Sequence, residues 1–245
     1  MVSEEDRILF VFDLDGCLID TFNYFKAYMG KVTKKFNIDV DDEVQDEIQD
    51  TILEMLGGKS SKILMFKIIS YVSKKLKLGP IKRIKFFLHL KKIYRENISS
   101  VELIPGAVDT LKKLKELGHY IGIFTTTSSK EFNDRMENKK ELLKYVDEII
   151  VRDHVKHMKP DPEGILLLKE KLKIGNIKKV VMAGDMTHDI EAGINAGGIS
   201  MGVLTGVNSG EDLKNAGALL VIDSIGDLIP NLPRIKELMD GNLPQ

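Results

Sequence analysis

Ile8-Leu9-Phe10-Val11-Phe12-Asp13-Leu14-Asp15-Gly16 is the stretch from which the rest of the chain is read. Five apolar residues in succession describe a strand buried on both faces, as in a parallel sheet covered by helices. The run stops at two carboxylates and a glycine. A carboxylate taken out of water without a partner or a metal costs roughly several kcal/mol. In open α/β sheets the ligand crevice lies beyond the carboxyl ends of the strands, which is where Asp13 and Asp15 fall. Residues two apart on a strand point the same way. The two acids are therefore expected to face one ligand if the strand geometry persists, with Gly16 allowing a sharp exit. A plain Asp-Gly turn is the competing reading of this stretch.

Outward from Gly16 the periodicity becomes helical. Phe22, Phe25, Tyr28, Met29, Val32 and Phe36 recur at helical spacing. Asp41 and Asp42 suit the cap of a second helix carrying Val44, Ile48, Ile52, Met55 and Leu56, ended by Gly57-Gly58. Ser60 or Ser61 suits the start of a third, with Ile63, Leu64, Ile68, Tyr71 and Val72. After Gly79-Pro80 a fourth runs through Ile81, Ile84, Phe87, Leu88 and Tyr94. Residues 19–99 thus read as an all-helical cap domain inserted into an α/β core made of 1–18 and 100–245. From Ile104-Pro105-Gly106 helices alternate with apolar strands at Tyr120–Phe124, Glu148–Val151, Val180–Ala183, Ile199–Leu204 and Leu219–Ile222. A helix is expected to follow Tyr120–Phe124 up to Tyr145, others over Ile165–Leu172 and Ile190–Ala196. Such alternation predicts a Rossmann-like parallel sheet.

The bulk properties narrow the function classes. The chain has 245 residues, 43% of them hydrophobic, and a formal net charge of -1. That balance gives no global field for nucleic acid or an anionic membrane. No apolar run approaches a membrane span of roughly 18 residues, and nothing near the N-terminus reads as a signal peptide. Cys17 is the single cysteine, so no internal disulfide forms. A soluble, cytoplasmic protein, monomeric or homodimeric, is expected.

Polar residues collect at three strand ends: Asp13 and Asp15, then Thr125 and Thr126, then Gly184-Asp185 with Asp189. Lys159-Pro160 adds a loop lysine. In a parallel sheet these ends share one edge. Carboxylates, a lysine and a hydroxyl together suit Mg²⁺ and a phosphoryl group, since Mg²⁺ takes a few carboxylates plus water and phosphate oxygen.

This arrangement resembles the haloacid dehalogenase superfamily, in its phosphoglycolate phosphatase and β-phosphoglucomutase-like branch. Asp13-Leu14-Asp15-Gly16-Cys17-Leu18 looks like the opening DxDGT(L/V) motif, and Thr125 matches the second motif. Lys159-Pro160-Asp161-Pro162 matches the lysine motif, and Gly184-Asp185-Met186-Thr187-His188-Asp189 the acidic GDxxxD motif. The helical insert and Glu102-Leu103-Ile104-Pro105-Gly106 are similar to that branch too. Cys17 departs from the usual threonine, and Thr126 from a frequent asparagine. Cys17 is read as a small packed residue rather than a nucleophile.

The resemblance implies a Mg²⁺-dependent phosphatase acting on a small phosphorylated metabolite of the phosphoglycolate or sugar-phosphate class. Asp13 would be the nucleophile that forms an aspartyl-phosphate, and Asp15 the general acid and base. Asp13, the Asp15 backbone carbonyl, Asp185 and Asp189 would hold the metal. Thr125, Thr126 and Lys159 would bind phosphate. Asp189 also suits the cap of a helix starting at Ile190. His188, His154 and His157 read as solvent-facing residues, and Asp161 as a loop residue. The cap would select the leaving group, and its Lys82, Arg83, Lys85, Lys91, Lys92 and Arg95 read first as a solvated face. Alternatives are a phosphomutase using the same intermediate and, in another class, a non-catalytic phosphate-binding or regulatory module. A receiver module would lack the insert and need no second Asp, and a dehalogenase would lack the acid that Asp15 supplies.

Overall fold

Leu9–Phe12 forms strand β1, and all four residues are buried. The structure, a computed structural model, describes residues 6–38, 71–72, 74–76, 78–175 and 179–240. Within them the further strands are β2 (Tyr120–Phe124), β3 (Glu148–Ile150), β4 (Val180–Gly184), β5 (Ile199–Val203) and β6 (Leu220–Ile222). They make one sheet in the order β3-β2-β1-β4-β5-β6. Every pairing is parallel. Helices α1 (Thr21–Lys35) and α2 (Pro80–Asn97) fall between β1 and β2, followed by α3 (Ala107–Glu116). The later helices are α4 (Ser129–Met136), α5 (Lys140–Leu143), α6 (Glu163–Lys171), α7 (Thr187–Asn195), α8 (Gly210–Asn215) and α9 (Leu228–Met239).

The uninterrupted apolar run of β1 follows from its central place. Leu9 and Val11 join a cluster with Phe124, Ile165, Leu168, Val180, Met182 and Ala192, so α6 and α7 cover that face. Phe10 and Phe12 point the other way by strand alternation and lie 6.4 Å apart between ring centroids. Each buried side chain of this size contributes about 1.5–3 kcal/mol, so polar replacements in β1 would remove stabilisation from both faces. The strand order reverses between β1 and β4, the place where such sheets open a crevice.

Two compact units divide the chain: Met1–Phe22 with Ser99–Gln245, and Asn23–Ile98. In the first, the two connecting segments pair with each other. Ile19 bridges Leu103, the Asp20 N–H donates to Glu102 O at 2.9 Å, and the Ile104 N–H donates to Leu18 O at 2.9 Å. In the second, the described regular elements are helical. The helices expected over 41–56 and from Ser60 or Ser61 lie outside the described residues, save Tyr71 and Val72, which are helical. On α2 the apolar positions Ile81, Ile84 and Leu88 stand exposed, whereas Phe86 is buried. Phe86 meets Phe36 edge-on at 5.5 Å, so the packed face of this helix is offset from the expected stripe. Among the described residues no helix is long and apolar enough to cross a membrane.

Two further expectations change in detail. The helical stretch expected up to Tyr145 is two helices, α4 and α5. Helix α7 starts at Thr187, three positions before the expected Ile190. Asp189 therefore sits inside its first turn and accepts the Met186 N–H at 3.0 Å, capping the helix from within.

Candidate active site

The backbone beyond Phe12 does not stay extended. Gly16 has φ 79°, and the N–H groups of Leu18 and Ile19 both donate to Leu14 O at 2.9 Å. The chain curls, and Asp13 and Asp15 part company. Asp13 enters one buried cluster, and Asp15 enters another. The strand does not stay extended through Asp15, as the two-residue spacing assumes; the two carboxylates have different hydrogen-bond partners but remain close enough for Asp15 to add to the rise of Asp13.

The first cluster holds Asp13, Asp185, Asp189 and Lys159, all buried. Asp13 follows β1, Asp185 follows β4, and the Asp13 N–H donates to Ala183 O at 2.9 Å, which levels the two strand ends. Lys159 Nζ donates to Asp13 Oδ1 and to Asp189 Oδ1, each at 2.5 Å. It also lies 5.2 Å from the centre of the Phe124 ring. Carboxylate oxygens of Asp13, Asp185 and Asp189 lie within 4.8 Å of one another. Asp185 Oδ2 accepts the Val207 N–H at 2.8 Å, while Asp185 Oδ1 is buried with no hydrogen-bond partner among the described residues. Room for that carboxylate depends on Gly16, where a Cβ would come to 2.7 Å from Asp185 Oδ2.

The charges do not balance. Three carboxylates face one ammonium, leaving two negative charges in a dry site. Like charges about 4 Å apart repel by about 4 kcal/mol at an effective dielectric of 20. Burial pushes Asp13 up to about 7 against the pull of Lys159, with Asp189 and Asp15 adding to the rise. Burial, then Asp189 and Asp13, push Asp185 well above the carboxylate range. Burial opposes the charge on Lys159, but Asp13 and Asp189 outweigh it and its proton is held more tightly than usual. A divalent cation fits this site: it removes the surplus charge, it suits an all-oxygen donor set, and Asp185 Oδ1 is an orphaned donor for it. Asp13 Oδ2 accepts no hydrogen bond among the described residues, nor do the Leu14 and Asp15 N–H groups donate one.

The second cluster surrounds Asp15. Thr21 Oγ1 donates to Asp15 Oδ1 at 2.5 Å, and Thr127 Oγ1 donates to Oδ2 at 3.1 Å. Arg135 forms an ion pair with Oδ2. Thr125, buried after β2, donates its hydroxyl to Thr127 Oγ1 at 2.9 Å and accepts the Thr127 N–H at 3.2 Å. Thr126 is exposed next to it. Cys17 is buried, with its thiol at 3.6 Å from Ala183 O. Burial, then Asp13, Asp185 and Asp189, push that thiol up, which keeps it protonated.

Sequence reasoning passes over Thr21, Thr127 and Arg135. For Arg135 a signal exists. Phe132, Arg135, Met136 and Lys139 recur at helical spacing, and all are buried. An arginine on an apolar stripe calls for an anionic partner.

A family model described as haloacid dehalogenase-like hydrolase matches residues 10–203, which include every acid, Lys159, Arg135 and the threonines of both clusters. The chain belongs to the haloacid dehalogenase-like hydrolases. Its similarity to the phosphoglycolate phosphatase of Vibrio cholerae is 27% identity over 222 residues, 90% of this chain and 95% of that protein. Against the phosphoglycolate phosphatase of Escherichia coli K12 it is 32% over 130 residues, 53% of this chain and 51% of that one. The fold is shared with a Thermotoga maritima structure assigned to β-phosphoglucomutase, at TM-score 0.73 and 24% identity over 92% of this chain and 98% of that one. The protein is thus an enzyme, a hydrolase of the phosphatase type.

Proposed function

We propose that this hydrolase is a Mg²⁺-dependent phosphatase for a small phosphorylated metabolite of the phosphoglycolate or sugar-phosphate class, working through an aspartyl-phosphate on Asp13. The observation that carries the reading is the buried trio of carboxylates with its surplus negative charge, one of which, Asp13, has an Oδ2 that accepts no hydrogen bond among the described residues. Relatives named phosphoglycolate phosphatase support the substrate class.

Asp13, Asp185 and Asp189, with the Asp15 backbone carbonyl, would hold Mg²⁺, which when bound keeps Asp13 ionised and offsets the charge of the approaching phosphate. The Asp13 carboxylate attacks phosphorus, and the bonding pair of the P–O bond departs with the leaving oxygen. Asp15 protonates that oxygen, then takes a proton from the water that hydrolyses the aspartyl-phosphate. Lys159 donates to the transferring phosphoryl oxygens, together with the Leu14 and Asp15 N–H groups and Thr126 at the rim, while the Thr125 hydroxyl, already given to Thr127 Oγ1, holds the backbone after β2 beside them.

The test is phosphate release from p-nitrophenyl phosphate with Mg²⁺, with EDTA, and in Asp13→Asn, followed by a panel that includes phosphoglycolate. Turnover is expected to need Mg²⁺ and to fall by about a thousandfold or more in the variant, as for loss of a covalent nucleophile. A variant with near wild-type turnover overturns the assignment. Conversion of a hexose 1-phosphate to its 6-phosphate, without free phosphate, would move the reading to a phosphomutase.

A further inference from the structure

Asp15 Oδ2 receives two donors whose direction is fixed. Arg135 has only N–H groups to offer. Thr127 Oγ1 already accepts from Thr125 Oγ1 at 2.9 Å and from Arg135 Nη1 at 2.8 Å, so its own proton points to Asp15. A proton on Oδ2 would meet these donors head-on. Asp15 Oδ1 has a different neighbour, the Thr21 hydroxyl, which both donates and accepts.

Arg135 is itself firmly seated. Its side chain is 10% exposed, against 29% for that of Asp15. Its carbonyl accepts Lys139 Nζ at 2.7 Å, and the same ammonium donates to Ser99 O at 2.9 Å. A leucine or methionine at this position would extend the apolar stripe of α4. A buried ion pair brings little net stability over a packed hydrophobe, so the arginine is better explained by what it does to Asp15.

We infer that Arg135 is a positioning residue for the general acid and base: with Thr127 it pins Asp15 Oδ2 and leaves Oδ1 as the oxygen that carries and delivers the proton. In the first half-reaction the Oδ1–H bond breaks as the O–H bond of the leaving alcohol forms, while the Asp13–phosphorus bond replaces the P–O bond. In the second, water adds to phosphorus, its proton passes to Oδ1, and Asp13 is released as a carboxylate. The inference rests on the proposed role of Asp15 in the previous subsection.

The test reads kcat/KM, which reports steps up to the first irreversible one, on p-nitrophenyl, phenyl and p-methoxyphenyl phosphates. Nitrophenolate leaves without help, and methoxyphenolate needs a proton. Arg135→Met is expected to lose about tenfold or more on the p-methoxyphenyl ester and under about threefold on the p-nitrophenyl ester. An equal loss on all three esters, or no loss, overturns the inference. Should Arg135→Met fail to fold by its melting profile, Thr127→Val removes the other Oδ2 donor without stranding a charge, and the same pattern and the same overturning result apply. Asp15→Asn separates the two levels. If it too shows no leaving-group dependence, the acid role of Asp15 fails; if it shows one and the Arg135 and Thr127 variants do not, only the positioning role fails.

Discussion

At the scale of single residues, the main fact is an electrostatic deficit at the end of β1. Asp185 is the member with the most to gain from a cation, since one of its oxygens is buried without a partner among the described residues. Mg²⁺ is therefore expected to raise the melting temperature of the wild type. Saturation at about a hundred times the dissociation constant is worth about 2.7 kcal/mol. Asp185→Asn should lose that Mg²⁺-dependent rise. In EDTA near pH 7 it should melt close to the wild type, because burial and the neighbouring acids already favour the neutral form of Asp185 there. Thermal denaturation with and without metal reads both, and an undiminished Mg²⁺ effect in the variant would take Asp185 out of the metal site. Asp13, Asp15, Asp185 and Lys159 could be found in the sequence because each stands at the end of an apolar strand or before a proline, where a charge is conspicuous, and Asp189 because it closes the Gly184–Asp189 motif. Thr21, Thr127 and Arg135 could not be grouped that way. Their meeting with Asp15 depends on the curl after Phe12, which a reading of β1 as extended through Asp15 misses.

Elements of secondary structure carry the next prediction. His119 enters β2 buried, and its Nδ1 accepts the Ile8 N–H at 3.2 Å, tying the start of β2 to β1. Burial, helped by Lys236, lowers its pKa to about 4 from 6.5. The folded state thus prefers neutral imidazole. Its contribution is complete above pH 6.5 and is lost as pH falls toward 4, by about 3 kcal/mol at 1.36 kcal/mol per pKa unit. His119→Asn keeps an acceptor near the Nδ1 position and removes the titration. Denaturant unfolding at pH 7 and pH 4 should show the wild type losing roughly that much more than the variant; parallel losses would refute the assignment. The strands themselves were legible to within about a residue at each end, because strands buried on both faces are uninterrupted apolar runs. Helix α7 was misplaced by a turn because Asp189 caps from its third position, a role that propensity cannot distinguish from a start.

At the scale of the molecule, the segment between β1 and β2 is anchored by two strands of backbone that pair with each other, Ile19 with Leu103. Its ends meet within the core unit, so replacing residues 23–98 by a short Gly/Ser linker is expected to leave a cooperatively melting sheet. That shortened protein should keep some hydrolysis of p-nitrophenyl phosphate and lose discrimination among metabolite phosphates. Retained discrimination, measured as relative kcat/KM across a metabolite panel, would remove the insert from specificity. The same connectivity also governs how the protein is made. β1 is the central strand and the first to be synthesised, yet its neighbours are Tyr120–Phe124 and Val180–Gly184. At about 5–20 residues per second, a nascent chain carries Leu9–Phe12, four residues that end fully buried and lead into Asp13, unpaired for several seconds after leaving the ribosome. The central strand is thus the part most exposed to misassociation during synthesis, and the sheet closes around it only once β4 has emerged.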